Sequence, residues 1–144
     1  MPSKVVNEAT RRDWRKLGFF YDKDSQLKEW RLVGSRQGLS RLVDILDRYA
    51  ANPVNKTLSE HEHLGPYMYL EIGTWSEPVI TDHWIAGTLG DLSRLAAIIR
   101  KFLDTAGTGD ALKVRELFSP ASDYELILLV REDGFDPASA DTQL

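Results

Sequence analysis

The chain has 144 residues, 18 Lys/Arg against 22 Asp/Glu, a net charge of −4 and no cysteine. That length suits one domain with its own core, and the lack of cysteine excludes disulfides and thiol catalysis. The charge is uneven: residues 1–48 carry 11 Lys/Arg against 7 Asp/Glu, and the rest carries 7 against 15. An acidic second half argues against general nucleic-acid binding, which needs a cationic surface, and suits a basic protein partner. The N-terminus has no apolar signal core. The apolar run Leu126–Val130 is far shorter than the roughly 20 residues of a membrane helix. A cytoplasmic protein without a membrane segment is the expectation.

Residues 1–10 are polar and read as loose. Arg11 to Lys16, basic around Trp14, reads as a short helix or a lead-in to the first strand. Phe19-Phe20-Tyr21 and Leu27–Val33 read as the strands of a β-hairpin over 18–34, turning at Asp22-Lys23-Asp24-Ser25. Asp22-x-Asp24 is not an EF-hand: the glycine is missing, and Val33 stands where the bidentate Glu belongs. Leu39, Leu42, Val43, Leu46 and Tyr49 have helical spacing, giving an amphipathic helix over 37–51 that stops at Asn52-Pro53. Met68, Leu70 and Ile72 alternate with Tyr67, Tyr69 and Glu71, a strand with Met68, Leu70 and Ile72 buried. Val79-Ile80 and Trp84-Ile85-Ala86 are short strands. Thr88 caps a second helix with Asp91 in its first turn, and that helix ends near Gly107 as a left-handed cap. Leu112–Phe118 reads as a strand. Tyr124–Arg131, apolar on both faces, reads as the central strand. Asp136-Pro137 can begin one helical turn, and the 136–144 tail reads as loose.

The two helices align at an offset of 53. Gly34, Leu39, Ser40, Arg41, Leu42 and Ile45 match Gly87, Leu92, Ser93, Arg94, Leu95 and Ile98. Each helix follows a short strand and precedes two strand-like segments. This predicts a single α+β domain built from a tandem β-α-β-β repeat, with units at about 29–75 and 83–131. One unit has too little sheet to cover its helix. Two predict a two-layer sandwich, a mainly antiparallel sheet of six or so strands with both helices on one face.

All three histidines lie between Glu60 and Trp84. On a strand, His61 and His63 project to one face and Glu60 and Glu62 to the other. His-x-His is a metal-ligand spacing, and His83 would complete a three-His zinc site if its strand lies next door. Such a zinc would activate water for hydrolysis. The alternative is that His61 and His63 are structural edge-strand residues and that no cofactor binds. Tyr67, Tyr69 and Glu71 share a face and form a plausible protein-contact patch, since Tyr buries large area at low entropic cost. Trp30 and Trp84 stand at similar points before the two helices and read as core. No Walker pattern, dinucleotide fingerprint or serine triad is present.

An apolar strand, Gly34, a helix with Leu-x-x-Leu, then His61-Glu62-His63-Leu64 and the Met68–Ile72 strand together resemble the small α+β immunity proteins of bacterial polymorphic toxin systems, the family catalogued as immunity protein thirty-two. The resemblance covers Glu29–Ile72 most closely and 84–130 more loosely. It implies a cytoplasmic, non-enzymatic protein that occludes a cognate toxin, and the acidic half would suit a cationic one. The contact residues expected on this reading are Glu60, His61, Glu62, His63, Tyr67, Tyr69 and Glu71. Two other readings are a small zinc-dependent hydrolase using His61, His63 and His83, and a homodimerising structural or regulatory module that pairs an exposed sheet edge. Monomer and homodimer both remain open.

Overall fold

The structure, a computed structural model, describes residues 3–144. It is α+β. Helix α1 (Lys4–Leu17) precedes the hairpin β1 (Phe20–Asp24) and β2 (Glu29–Ser35), helix α2 (Arg36–Ala51), β3 (His61–Leu64) and β4 (Leu70–Thr74). The second half repeats that succession with β5 (Val79–Ile80), β6 (Trp84–Gly87), helix α3 (Leu89–Thr105), β7 (Ala111–Lys113), the one-turn helix α4 (Arg115–Phe118) and β8 (Glu125–Arg131). Each half is thus β-β-α-β-β, one strand longer at its start than the β-α-β-β unit expected.

The eight strands form two four-stranded sheets rather than one sheet of six. Their orders are β1-β2-β8-β7 and β3-β4-β6-β5. Both are mixed: the central pairs β2–β8 and β4–β6 are parallel, and the four outer pairings are antiparallel. Every sheet therefore joins strands from both halves of the chain. β8 is central in its sheet, with Leu126, Leu128 and Val130 buried.

The helices follow from their caps and stripes. Ser35 Oγ accepts the Gly38 N–H at the start of α2. Thr88 and Asp91 form a reciprocal capping box at α3, satisfying two otherwise unpaired donors. Leu39, Leu42 and Leu46 of α2 and Leu92, Leu95 and Ile99 of α3 are buried. The two helices pack on each other, with α2 over β2 and β8 and α3 over β6. Arg100 of α3 forms an ion pair with Asp47 of α2 across that contact. The α3 terminus differs from expectation: Ala106 is the cap, in an extended conformation.

The N-terminal segment, expected to be loose, is helix α1 from Lys4 onward; Met1 and Pro2 lie outside the described residues. Ser3 Oγ accepts the Val6 N–H and starts it. Trp14, its one buried residue, anchors it against Phe20, Tyr21 and Tyr67. The tail is packed too. A 3-10 turn at Pro137–Ala140 starts where Asp136 accepts the Ala138 N–H, and Asp136 also pairs with Arg15 at 3.0 Å. Asp141 is buried and holds Trp14. The segment 112–118 is not one strand: β7 ends at Lys113, and a helical turn buries Phe118.

No backbone ladder joins the two sheets. Side chains bridge them. The Tyr21 hydroxyl donates to the Leu64 carbonyl (2.6 Å) and accepts the Tyr69 N–H (3.2 Å). Trp30 Nε1–H donates to the Thr81 carbonyl (2.7 Å), Ser119 Oγ to the Pro78 carbonyl (2.9 Å), and the Ile80 N–H to Ser122 Oγ (2.9 Å). Removing the Tyr21 hydroxyl leaves a shielded carbonyl and N–H without their partner. Tyr21→Phe is expected to cost about 1–3 kcal/mol of stability, read by urea denaturation, with the far-ultraviolet circular dichroism of the native protein unchanged.

Candidate binding face and cleft

The outer face of the second sheet gathers the residues of the central stretch. In the β3–β4 register His63 lies opposite Glu71 and His61 opposite Gly73. In the β4–β6 register Glu71 lies opposite Trp84. His63, Glu71 and Trp84 therefore form one row across the sheet, and His61 and Gly73 begin the next. Gly73 is required by space. A Cβ there would sit 2.3 Å from Trp84 Cε3, so the indole lies over the bare backbone. Trp84 is half-buried on this face instead of in the core, where Trp30 alone fulfils the expectation. Trp75, 39% exposed, flanks it at a ring separation of 5.8 Å.

His61 and His63 project together, with rings 5.1 Å apart and edge to face. His61 Nδ1 lies 3.0 Å from the Ser59 carbonyl and His63 Nδ1 3.2 Å from the Met68 carbonyl. Glu71 Oε1 is 3.3 Å from His63 Nδ1. His61, His63 and Glu71 each place a possible ligand atom within 4.8 Å of the others. The three-His grouping is not what the fold assembles. His83 precedes β6, its Nδ1 lies 3.1 Å from Thr81 Oγ1 and 3.2 Å from Asp82 Oδ1, and its ring stacks on Trp84. Glu71 takes the place expected for His83.

The tyrosines sit just before β4. Gly65 and Met68 have φ of +77° and +59°. Gly65 adopts this at no cost, and its absent side chain makes room for the Tyr21 ring, 2.7 Å from where a Cβ would be. Met68 breaks the alternation that predicted its burial: it is exposed, and the strand starts only at Leu70. The bend brings Tyr67 and Tyr69 into a stack, with centroids 5.6 Å apart at 25°. Tyr67 is anchored, its hydroxyl donating to Asp141 Oδ2 at 2.7 Å. Tyr69 is 65% exposed. Glu62 points the other way, 3.8 Å from Arg48 of α2. Glu60 is exposed at the start of β3, and its carbonyl accepts the Tyr49 hydroxyl. Of the expected contact set, His61, His63 and Glu71 cluster on the second sheet, Tyr67 and Tyr69 line a neighbouring cleft, and Glu62 turns towards α2.

Beside the tyrosines opens a cleft of about 670 Å³ where the two sheets meet, lined by Tyr21, Trp30, Tyr67 and Tyr69 with Asp22, Lys23, Asp82, His83 and Asp141. Its acids outnumber its lysine. Burial raises the Asp22 carboxyl above the usual range. At Asp141 burial also pushes upward, but hydrogen bonds from Tyr67, Trp14 and the Gln143 N–H outweigh it and hold the carboxyl below that range. Lys23 Nζ lies 5.7 Å from the centre of the Trp30 ring and donates to the Asp82 carbonyl at 3.0 Å. The cleft already seats one cation on an aromatic face. Asp141 and Lys23 were not singled out from the sequence as site residues. A glycine inside a strand, at 73, was the signal for the indole lying over it.

Comparison with family models, with curated proteins and with solved structures gives no match for this chain.

Burial, and then the bond to the Asp141 carboxylate, push the Tyr67 phenol up to about 12. An unfolded tyrosine titrates near ~10. The folded state therefore holds this proton more tightly. The stability linked to it is complete below pH ~10 and is lost as pH rises to about 12. Tyr67→Phe is expected to flatten part of the decline in urea-measured stability across that range. At Gly73 the added methyl of Gly73→Ala would displace Trp84. The expected result is a loss of about 1–3 kcal/mol with greater acrylamide quenching of indole fluorescence.

Proposed function

We propose that this chain is a non-enzymatic binding protein that occludes a basic protein partner with the Tyr67–Tyr69 surface and the adjoining acidic cleft. The observation that carries this reading is Tyr69: an aromatic side chain 65% exposed, yet stacked on a tyrosine that is itself fixed by Asp141. A rigid, exposed aromatic loses little entropy on binding, as interface anchors require. Met68, the residue before Tyr69, is exposed as well. The cleft beside it, with three carboxylates, one lysine and six aromatic side chains, suits an incoming arginine or lysine through charge and cation–π contact.

The sequence resemblance to immunity proteins of polymorphic toxin systems fits this chemistry. On that reading the partner is a cationic toxin domain, the protein works in the cytoplasm, and neutralisation is by steric cover of the toxin. No helix among the described residues is long and apolar enough to cross a membrane. The common β-β-α-β-β succession of the two halves and their matched helices support reading them as copies of one unit.

The test is bacterial survival on co-expression with a panel of cationic polymorphic-toxin domains, backed by calorimetry on any pair that rescues growth. Wild type is expected to neutralise at least one toxin. Tyr69→Ala is expected to weaken that complex by about tenfold or more while melting like the native protein. Charge reversal by Glu71→Lys should act in the same direction. Failure to neutralise any member of the panel, or rescue unaffected by both substitutions, would count decisively against this surface.

A further inference from the structure

We propose that His61, His63 and Glu71 form a zinc-class divalent-metal site on the outer face of the second sheet. This inference does not rest on the partner-binding reading, although the two share Glu71.

The argument begins with the imidazole protons. A backbone carbonyl can only accept a hydrogen bond. His61 Nδ1 faces the Ser59 carbonyl at 3.0 Å, and His63 Nδ1 faces the Met68 carbonyl at 3.2 Å. With the proton on Nδ1 each neutral ring would leave its Nε2 lone pair for an ion, and Glu71 Oε1, 3.3 Å from His63 Nδ1, favours that same tautomer. Metal-binding histidines have this arrangement: one nitrogen is tied to a carbonyl or carboxylate, which fixes the ring's tautomer and orientation, and the other is left for the ion. Two residues apart on one strand, the rings emerge on the same face, with centroids 5.1 Å apart. Glu71 comes from the neighbouring strand at the position opposite His63, so strand pairing, not a flexible loop, holds the carboxylate beside the imidazoles.

The backbone makes a further contribution. Both orienting carbonyls belong to or adjoin residues in the left-handed region, Ser59 at φ +74° and Met68 at +59°. Non-glycine residues adopt this region rarely and at a cost. At these two places the bent backbone presents a carbonyl to each histidine.

Two imidazoles, borderline donors, joined by one carboxylate suit zinc and cobalt better than calcium or magnesium, which take all-oxygen sites. Three protein ligands leave the fourth tetrahedral position open. His61 and His63 are exposed and β3 pairs on one side only, so that position faces solvent. Trp84, over Gly73 and next to the same row of side chains, is an internal reporter.

The experiment uses the untagged, chelator-treated protein, titrated with Co²⁺ alone and then competed with Zn²⁺. Expected are one equivalent of Co²⁺ with the visible absorption of a four-coordinate centre, its displacement by Zn²⁺, and quenching of tryptophan fluorescence as Co²⁺ binds. His61→Ala/His63→Ala should abolish the absorption, and Glu71→Ala should weaken binding by at least tenfold. His83→Ala, whose imidazole lies outside the cluster, should bind as wild type. Thermal melts without metal show whether each variant is folded. No cobalt spectrum in folded wild type, equal binding by the double variant, or loss of binding in His83→Ala would overturn the assignment.

Discussion

The Tyr21 hydroxyl is the bond on which the rest of the site depends. It comes from the first sheet, and both of its partners, the Leu64 carbonyl and the Tyr69 N–H, belong to the second. These partners are the last residue of β3 and the residue just before β4. One phenol thus fixes the two ends of the intervening bend. Gly65 rests on its ring, and the bend that results aims the Met68 carbonyl at His63 and stacks Tyr69 on Tyr67. Tyr67 passes the constraint on to Asp141, which also holds Trp14 of α1. A chain of aromatic edges and hydrogen bonds runs from the seam through Tyr67 and Tyr69 to α1 and the C-terminal tail. Burial raises the Tyr21 phenol above its ordinary value, so it stays neutral, and a neutral hydroxyl can donate and accept at once.

Electrostatics around this frame are local. The carboxylates of Asp141 and Asp136 are engaged in holding the tail and α1 in place. Asp82, beside the cleft, meets the adjoining His83 instead, and Tyr69 keeps much of its ring exposed. Rigidity and availability are therefore separated residue by residue. The groups that make the surface stiff lie behind it, and the groups a partner would meet are left open.

How much of this was legible in the sequence follows from how local each cause is. Caps and stripes are local: Thr88 with Asp91, and the leucine spacing, marked α2 and α3 closely. The β1–β2 hairpin and the central place of Glu125–Arg131 were equally plain. Helix α1 was hidden because a single buried residue, Trp14, anchors it, and its partner Asp141 is 127 residues away. Phe118 was assigned to a strand because its burial is as compatible with one helical turn as with an extended segment. Met68 was misplaced because alternation assumes an unbroken strand, and a positive φ interrupts this one. The division into two sheets depends on parallel pairings between halves, which no window of sequence contains. At the site, the shared face of His61 and His63 came directly from strand periodicity. That Glu71 and not His83 stands beside them depends on cross-strand register, which is set only when the sheet closes.

That closure has a consequence for how the protein comes into being. In the β2–β8 pair Glu29 lies opposite Glu125, and Ser35 opposite Arg131. β2 leaves the ribosome about a hundred residues before its inner neighbour β8. Synthesis proceeds at roughly 5–20 residues per second, so for several seconds Trp30 and Leu32 belong to a hairpin with an open edge. Contacts this distant along a chain also slow the search for the native state, because loop closure must precede any gain. The nascent first half is the period of greatest exposure to misassembly. The short lengths of β5 and β7 limit the strand edges left open once it has passed.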